Sequence, residues 1–155
     1  MTIEQVREYL AGCGLGDRVQ EFDVSSATVE LAAQALGCEP CLIAKTMSFL
    51  VDEHVTLVVL AGDARIDNAK FKAEFHQKAK MLSHEQVSEL TGFPVGGVCP
   101  FLAPEGTRVY LDGSLKRFEV VYPAAGSRNS AVRLNLEELE RAAKPVKWVE
   151  VSKLV

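Results

Sequence analysis

The stretch LIAKTMSFLVDEHVTLVVLA, residues 42–61, decides the fold of this chain. Two β-rich runs, residues 44–51 and 55–61, flank a short polar segment, and this pattern predicts a hairpin. Both runs are almost wholly apolar, so we expect them to be buried as the central strands of a sheet. Lys45 is the exception, and a lysine among apolar neighbours needs an anionic partner or a function unless it is exposed at the start of its strand.

Outward from this hairpin, helices and strands are mixed without a regular βαβ rhythm. Helical spacing, capping residues or both predict helices over residues 3–10, 29–36, 68–77, 84–92 and 135–143. Short strands are predicted over residues 19–24, 107–111, 118–122, 131–134 and 146–151. Residues 93–106 contain three prolines and three glycines, which predicts a shaped loop. The pattern favours one α/β domain of mixed α+β type, residues 1–155, with a curved, mixed sheet.

The composition is that of an ordinary soluble globular domain, with 155 residues of which 48% are hydrophobic and 25% charged. The longest apolar run, residues 55–61, is far shorter than the ~20 residues that a membrane span requires, which argues against a membrane protein. The start of the chain, MTIEQVRE, has neither the basic residues nor the apolar stretch of a secretory signal. We therefore expect a cytoplasmic protein.

The charge balance limits the partners. The formal net charge is −4, so the molecule as a whole repels nucleic acid, an RNA contact has to be local, and DNA is not an expected partner. A local contact is predicted between residues 65 and 80, where five cations face two carboxylates. The cations are Arg65, Lys70, Lys72, Lys78 and Lys80, and a solvated helix face is the alternative interpretation.

The side chains that most often carry chemistry are scattered along the chain. Four cysteines are expected to be reduced thiols, and the spacing of Cys38 and Cys41 is attributed to chance because no second Cys or His pair accompanies it. The histidines have no convergent spacing and no nucleophile elbow is present, so we predict neither a metal site nor a hydrolase triad, and no cofactor. Asp63 and Asp67 fit a cap or turn role better than catalysis.

Two loops fit recognition of a ligand by the backbone. In GGVCP, residues 96–100, the glycines permit close approach and the proline fixes the turn, so N–H groups can point at an oxyanion. A simple tight turn is one alternative, and Cys99 as an activated nucleophile is another. The second loop, residues 124–129, is a bend of small residues with hydrogen-bond donors, which is a weak signal alone.

Four segments in this order resemble the YbaK/EbsC family of prolyl-tRNA-synthetase-associated editing domains and free-standing aminoacyl-tRNA deacylases: IAKT (43–46), AGDARID (61–67), VGGVCPF (95–101) and AGS (125–127). The resemblance runs from about Val19 to Leu139. It implies a barrel-like mixed sheet surrounded by helices. It also implies hydrolysis of the ester that joins a wrongly attached amino acid to the 3′-terminal adenosine of tRNA, with the tRNA acceptor end and an aminoacyl-tRNA synthetase as partners.

The resemblance assigns roles to individual residues. The expected catalytic group consists of Lys45, which matches the family's functional lysine, and of Gly96, Gly97 and Pro100, which match its Gly-x-x-x-Pro loop. The expected substrate-binding residues are Asp63, Asp67, Val98, Cys99, Gly126 and Ser127. The local charge balance, and not the resemblance, makes Lys70, Lys72, Lys78 and Lys80 the expected tRNA-binding residues, together with Arg128. Leu102, where many members have glycine, and the lack of a histidine near the third motif leave the substrate subgroup open.

By this resemblance we predict a free-standing deacylase that acts in trans and removes a small amino acid from tRNA-Pro or a similar tRNA. Backbone N–H groups would oppose the charge that develops on the carbonyl oxygen, and water or the ribose hydroxyl would attack, so no protein nucleophile is needed. The alternative is a module that binds tRNA or a synthetase without turnover.

Overall fold

Five α-helices and ten short strands form the fold in the computed structural model, which describes residues 1–155. The helices are α1 (Ile3–Gly12), α2 (Val29–Leu36), α3 (Asn68–Phe75), α4 (His84–Thr91) and α5 (Leu136–Ala143). The strands are β1 (Val19–Glu21), β2 (Ile43–Val51), β3 (His54–Ala61), β4 (Ala64–Ile66), β5 (Arg108–Asp112), β6 (Val120–Pro123), β7 (Ser130–Val132), β8 (Leu134–Asn135), β9 (Lys147–Val149) and β10 (Ser152–Leu154). None of the helices is both long and apolar enough to cross a membrane.

Six of these strands form a mixed sheet that curves into a half-barrel, in the order β8-β6-β2-β3-β5-β9. The hairpin predicted from residues 42–61 lies at its centre, where β2 and β3 pair antiparallel and Lys45 is opposite Leu60. On the two sides, β6 runs parallel to β2 and β5 runs parallel to β3. The expected α/β fold with a curved, mixed sheet is confirmed.

The last predicted strand, residues 146–151, is wrong in detail, because the structure has two short strands there, β9 and β10, with a bend between them. The buried carboxylate of Asp112 holds the bend by accepting hydrogen bonds from the Val151 N–H at 2.9 Å and from the Ser152 hydroxyl at 2.6 Å. The bend directs β10 to β4, a strand that the sequence pattern missed, and the two pair antiparallel. A second two-stranded ribbon joins β1 to β7.

An aromatic cluster fixes α3 to the sheet. Phe71 packs between Phe49 of β2 and Phe75, with ring centroids 4.9 and 4.6 Å apart. Phe75 in turn contacts Tyr110 of β5 edge to face at 5.0 Å. Each such pair contributes about 0.5–1.5 kcal/mol beyond the burial of its surface. Helix α3 is therefore anchored at the Phe49 end of β2, whereas Lys45 lies toward the opposite end of the same strand.

Side-chain caps begin the helices where the sequence predicts them. Ser83 and Asn135 each form a complete capping box, and the Asp67 carboxylate caps α3. A cap of this kind is worth about 1 kcal/mol. Helix α3 is shorter than predicted, since it ends at Phe75 and His76 adopts a left-handed φ of 61°.

Candidate functional site

A cavity of about 290 Å³ opens where the starts of α2 and β2 meet the two predicted ligand loops. Its apolar lining includes Val29, Ala32, Ile43, Val98 and Tyr122. Four serine and threonine residues also line it: Ser26, Thr28, Thr46 and Ser130. Lys45 is the one charged residue in the lining.

Lys45 is half-buried, and no carboxylate forms a salt bridge with its ammonium group. Burial lowers the pKa of Lys45, while the more distant negative charges of Glu30 and Asp63 partly oppose this effect. The ammonium has thus lost part of its hydration without gaining a hydrogen-bond acceptor in the protein. An anion or a carbonyl oxygen of a ligand would supply this acceptor. The structure is incompatible with the alternative of a fully exposed lysine.

Asp63 lies near Lys45 but is committed to Arg117. The Arg117 guanidinium donates two hydrogen bonds to this carboxylate, from Nη1 to Oδ2 at 3.0 Å and from Nη2 to Oδ1 at 2.6 Å. This fork lowers the pKa of Asp63, because a charge-assisted pair favours the ionised form. Asp63 does not line the cavity, and its expected contact with substrate stays a prediction.

Gly96 and Gly97 bring the glycine loop close to its neighbours. A Cβ on Gly96, whose φ is +86°, would lie 2.8 Å from the Cβ of Ala27. A Cβ on Gly97 would lie 2.9 Å from the carbonyl carbon of Ser127. Real Cβ contacts are not this short, so both glycines are needed for the close approach that shapes the cavity wall.

The N–H groups of this loop are only in part available to a ligand. The Gly97 N–H donates to the Pro94 carbonyl at 2.9 Å, so this amide is used within the loop. The N–H groups of Gly96 and Val98 make no hydrogen bond within the protein, and both residues line the cavity. The candidate oxyanion donors are therefore these two amides and the Lys45 ammonium.

The loop of residues 124–129 forms and positions part of the cavity wall. The Ser127 hydroxyl donates to either Ser130 Oγ at 2.7 Å or Asn129 Oδ1 at 2.9 Å. Gly126, with a φ of +94°, packs its backbone against the core, where a Cβ would meet Val6. Exposed Arg128 donates from Nε to the Val95 carbonyl at 2.8 Å and so ties this loop to the glycine loop. Gly126 and Ser127 thus position the wall, and Ala124, Ser130 and Ala131 are the residues of this region that line the cavity.

Two other expected site residues point elsewhere. Cys99 is fully buried in the core, and its burial raises the pKa of the thiol to about 12, so it is not a thiolate nucleophile. Its side chain does not line the cavity, although the preceding residue, Val98, does. Pro100 lines a separate cavity of about 310 Å³, together with Tyr9 and Leu102.

The expected tRNA-binding lysines are spread along α3 and the segment after it. The Nζ atom of Lys70 donates to the Ser152 carbonyl at 2.8 Å, and Asp67 caps the helix by accepting from the Lys70 N–H at 3.0 Å. Lys72, Lys78 and Lys80 are exposed, and none of them forms a salt bridge. The Lys80 carbonyl accepts from the Leu50 N–H, which lies five residues or about 17 Å along β2 from Lys45.

Sequence reasoning missed several lining residues, of which Thr46 is the most informative. Its Oγ1 atom is buried and has no hydrogen-bond partner, which is costly in a folded protein unless a ligand supplies one. Thr28, another lining residue, also caps α2 by accepting from the Leu31 N–H at 3.2 Å. Polar residues next to Lys45 and at the start of α2 were the available signals. No group of three or more His, Cys, Asp or Glu side chains is arranged to hold a metal ion.

Comparison with known sequences gives one family. The sequence profile of the aminoacyl-tRNA editing domain matches residues 23–142. The uncharacterized protein YwhH of Bacillus subtilis strain 168 is 46% identical over 154 residues, which make up 99% of this chain and 98% of that protein. The proline–tRNA ligase of Bacillus velezensis is 30% identical over 90 residues, which cover 57% of this chain but only 16% of the ligase.

Solved structures agree with this result. A crystal structure described as a candidate trans-editing enzyme for prolyl-tRNA synthetase matches with a TM-score of 0.87 and 28% identity, covering 97% of this chain and 96% of that one. A structure from work on the grafting of epitopes onto scaffold proteins also matches with a TM-score of 0.87, at 26% identity, over 99% of this chain and 97% of that one. The profile match, the fold and the cavity lead to one conclusion, as the motifs predicted: this chain belongs to the aminoacyl-tRNA editing domain family.

Proposed function

We propose that this protein is an aminoacyl-tRNA deacylase that hydrolyses the ester between a small amino acid and the 3′-terminal ribose of a tRNA. The observation that carries the proposal is the unpaired, half-buried ammonium of Lys45 in the wall of a cavity that has no other charged residue. Membership of the editing domain family supports the reaction class.

The chemistry of the ester fits the donors that the cavity offers. When the oxygen of a water molecule attacks the ester carbonyl carbon, negative charge develops on the carbonyl oxygen. Lys45 and the free N–H groups of Gly96 and Val98 are among the lining groups that can oppose this charge, and one such donor is worth about 10²–10³ in rate. The bond from the carbonyl carbon to the ribose oxygen then breaks, and that oxygen takes up the proton that the water loses. The products are the free amino acid and the tRNA.

The cavity lining contains no histidine and no carboxylate, so no side chain of the kind usually used as a general base lies in it. Attack by water, assisted by the neighbouring ribose hydroxyl, therefore fits better than a protein nucleophile. The high pKa of the buried Cys99 thiol agrees with this choice.

The size of the cavity supports a small amino acid as the group removed. A volume of about 290 Å³ has to accommodate both the aminoacyl group and part of the terminal ribose. Alanine, cysteine, serine and threonine fit this limit. A synthetase site discriminates against an amino acid with a slightly smaller side chain by only about 10- to 200-fold. A second pocket that hydrolyses the mischarged tRNA therefore lowers the error rate of aminoacylation. The matching proline–tRNA ligases point to tRNA-Pro as the first tRNA to test, with action in trans.

The test is a deacylation panel of tRNA-Pro charged separately with alanine, cysteine, serine, threonine and proline. The wild-type protein should hydrolyse at least one of the small mischarged substrates, and Lys45→Met should lose this activity. Lys116→Met is a matched control, because Lys116 is an exposed lysine that lies over the Trp148 ring, outside the cavity. Tight binding of the panel without hydrolysis would instead favour the module that holds tRNA or a synthetase without turnover.

A further inference from the structure

The two-stranded ribbon of β4 and β10 places two cations directly opposite each other. Arg65 and Lys153 are partners in the antiparallel register. The Asp67 N–H bonds to the Val151 carbonyl and the Val155 N–H bonds to the Asp63 carbonyl, both at 2.9 Å, so the pair between them is of the hydrogen-bonded type. The Cα atoms of such a pair are about 5.5 Å apart, and both side chains lie on the same face.

The negative charge of Asp67 acts on Lys153 but is shared with Lys70, so this like-charged pair is only partly compensated. Arg65 and Lys153 are both exposed, and neither forms a salt bridge. Like charges directly opposite each other destabilise a ribbon, so the fold alone gives no reason for the arrangement. An anion that binds between the two side chains would remove the repulsion.

A basic groove adjoins this pair. It has a volume of about 220 Å³ and is lined by Lys70, Arg117, Lys153 and one carboxylate, Glu150. The other nearby carboxylates are already engaged, since Asp63 binds Arg117 and Asp67 caps α3. Lys70 donates to a backbone carbonyl and forms no salt bridge, and the Asp67 carboxylate that acts on its charge is shared with Lys153.

The groove connects to the candidate active site through one ion pair. Asp63 follows the end of β3, where Ala61 is opposite the residue before Lys45; its carboxylate is bound by Arg117, and Arg117 is part of the groove lining. Arg65 follows Asp63 by only two residues. A polyanion that enters the cavity with one end therefore meets the groove and the ribbon next.

We propose that the β4–β10 ribbon binds the phosphate backbone of the tRNA acceptor end while the aminoacylated 3′ terminus occupies the cavity. This inference rests on the proposed function, since it names the surface by which that substrate is held. Arginine matches phosphate oxygens in a bidentate manner and lysine acts as a point charge, so Arg65 and Lys153 suit one or two consecutive phosphates. Such contacts position the RNA without reading its sequence. They also give a protein with a net charge of −4 the local attraction that it needs.

The test compares two doubly neutralised variants. Arg65→Gln with Lys153→Gln removes the ribbon charges, and Arg133→Gln with Lys144→Gln is the matched control, with two exposed cations outside the ribbon. Binding of uncharged tRNA is measured as a function of salt concentration. The ribbon variant should lose roughly tenfold in affinity, and the slope of log K against log salt should fall in magnitude by about 1.4–1.8, or about 0.7–0.9 for each lost phosphate contact. Its melting temperature should stay the same or rise because a repulsion is removed.

A second measurement separates this inference from the proposed function. For the ribbon variant, the KM for mischarged tRNA should rise with kcat unchanged, whereas a short aminoacylated oligonucleotide ending in CCA should be hydrolysed at the wild-type rate. A ribbon variant with wild-type tRNA affinity and salt slope would overturn the inference, as would a larger loss in the control variant. Loss of binding to prolyl-tRNA synthetase without loss of tRNA affinity would also overturn it, in favour of a protein partner. Failure of the wild-type protein to hydrolyse any mischarged tRNA would reject the proposed function alone, because the salt slopes still report on the ribbon.

Discussion

Replacement of Lys45 by methionine removes the one charge of the cavity and keeps most of the aliphatic stem. If the ammonium opposes the developing oxyanion, its loss should cost about 2.7–4 kcal/mol of transition-state stabilisation, or about 10²–10³ in kcat. The free energy of unfolding should change by less than about 1 kcal/mol, since no ion pair or hydrogen bond of Lys45 is broken. Single-turnover deacylation of mischarged tRNA-Pro gives the rate, and thermal unfolding gives the stability.

Two companion substitutions make this test more specific. Lys45→Ala should be as inactive as Lys45→Met, although it also loses the stem. Lys45→Arg keeps the charge but should still be poor, because a planar fork does not replace a compact ammonium in a confined cavity. A folded Lys45→Met protein with a rate near that of the wild type would refute the assignment of Lys45 to catalysis.

Four further predictions follow from the same geometry. Burial lowers the pKa of Lys45, so activity measured against pH, after subtraction of spontaneous ester hydrolysis, should fall at a pH below the ~10.4 of an ordinary lysine. Between the two pKa values the unfolded state binds more protons, so the contribution of Lys45 to stability should rise with pH there, and Lys45→Met should abolish this rise in pH-dependent unfolding. Thr46→Val removes the buried, unpartnered hydroxyl, so the free energy of unfolding from chemical denaturation should stay the same or rise by up to about 1–3 kcal/mol, while deacylation slows. A large loss of stability would contradict this prediction. Gly97→Ala should lower both the melting temperature and kcat, since its Cβ would press on the Ser127 backbone, and an overpacking cost of about 1–3 kcal/mol is expected. Cys99→Ala should keep much of the activity. In the native protein, a thiol-reactive probe should label partly exposed Cys13 but not Cys99. An acylated thiol trapped on Cys99 would contradict the water mechanism.

The parts of the fold that could be predicted are those encoded locally. The hairpin of residues 42–61 and the capping boxes at Ser83 and Asn135 depend on residues only a few positions apart, and the structure contains all of them. Strand β10 could not be predicted, because its direction depends on hydrogen bonds from Val151 and Ser152 to Asp112, about forty residues away.

In the candidate site, too, the residues with a local sequence signal could be predicted, and the orientation of the loop side chains could not. Lys45 was identified from its apolar neighbours, and it does lie in the cavity. The loop of residues 96–100 was identified too, but periodicity does not define which side chains of an irregular loop face inward. Val98 therefore lines the cavity while Cys99 and Pro100 face the core and a second cavity, and the Gly97 N–H is used within the loop.

The ion pair of Asp63 and Arg117 explains how an unpaired lysine persists beside a carboxylate. The charges of Glu30 and, to a smaller extent, Asp63 attract the Lys45 ammonium, and an Asp63 carboxylate with no other partner would compete more strongly with an anionic ligand. Arg117 prevents this by donating two hydrogen bonds to Asp63. These two residues lie 54 positions apart in the chain, so the pairing depends on the tertiary fold. The same guanidinium lines the basic groove, and the arrangement therefore keeps Lys45 available to substrate while it extends positive potential from the cavity toward the ribbon.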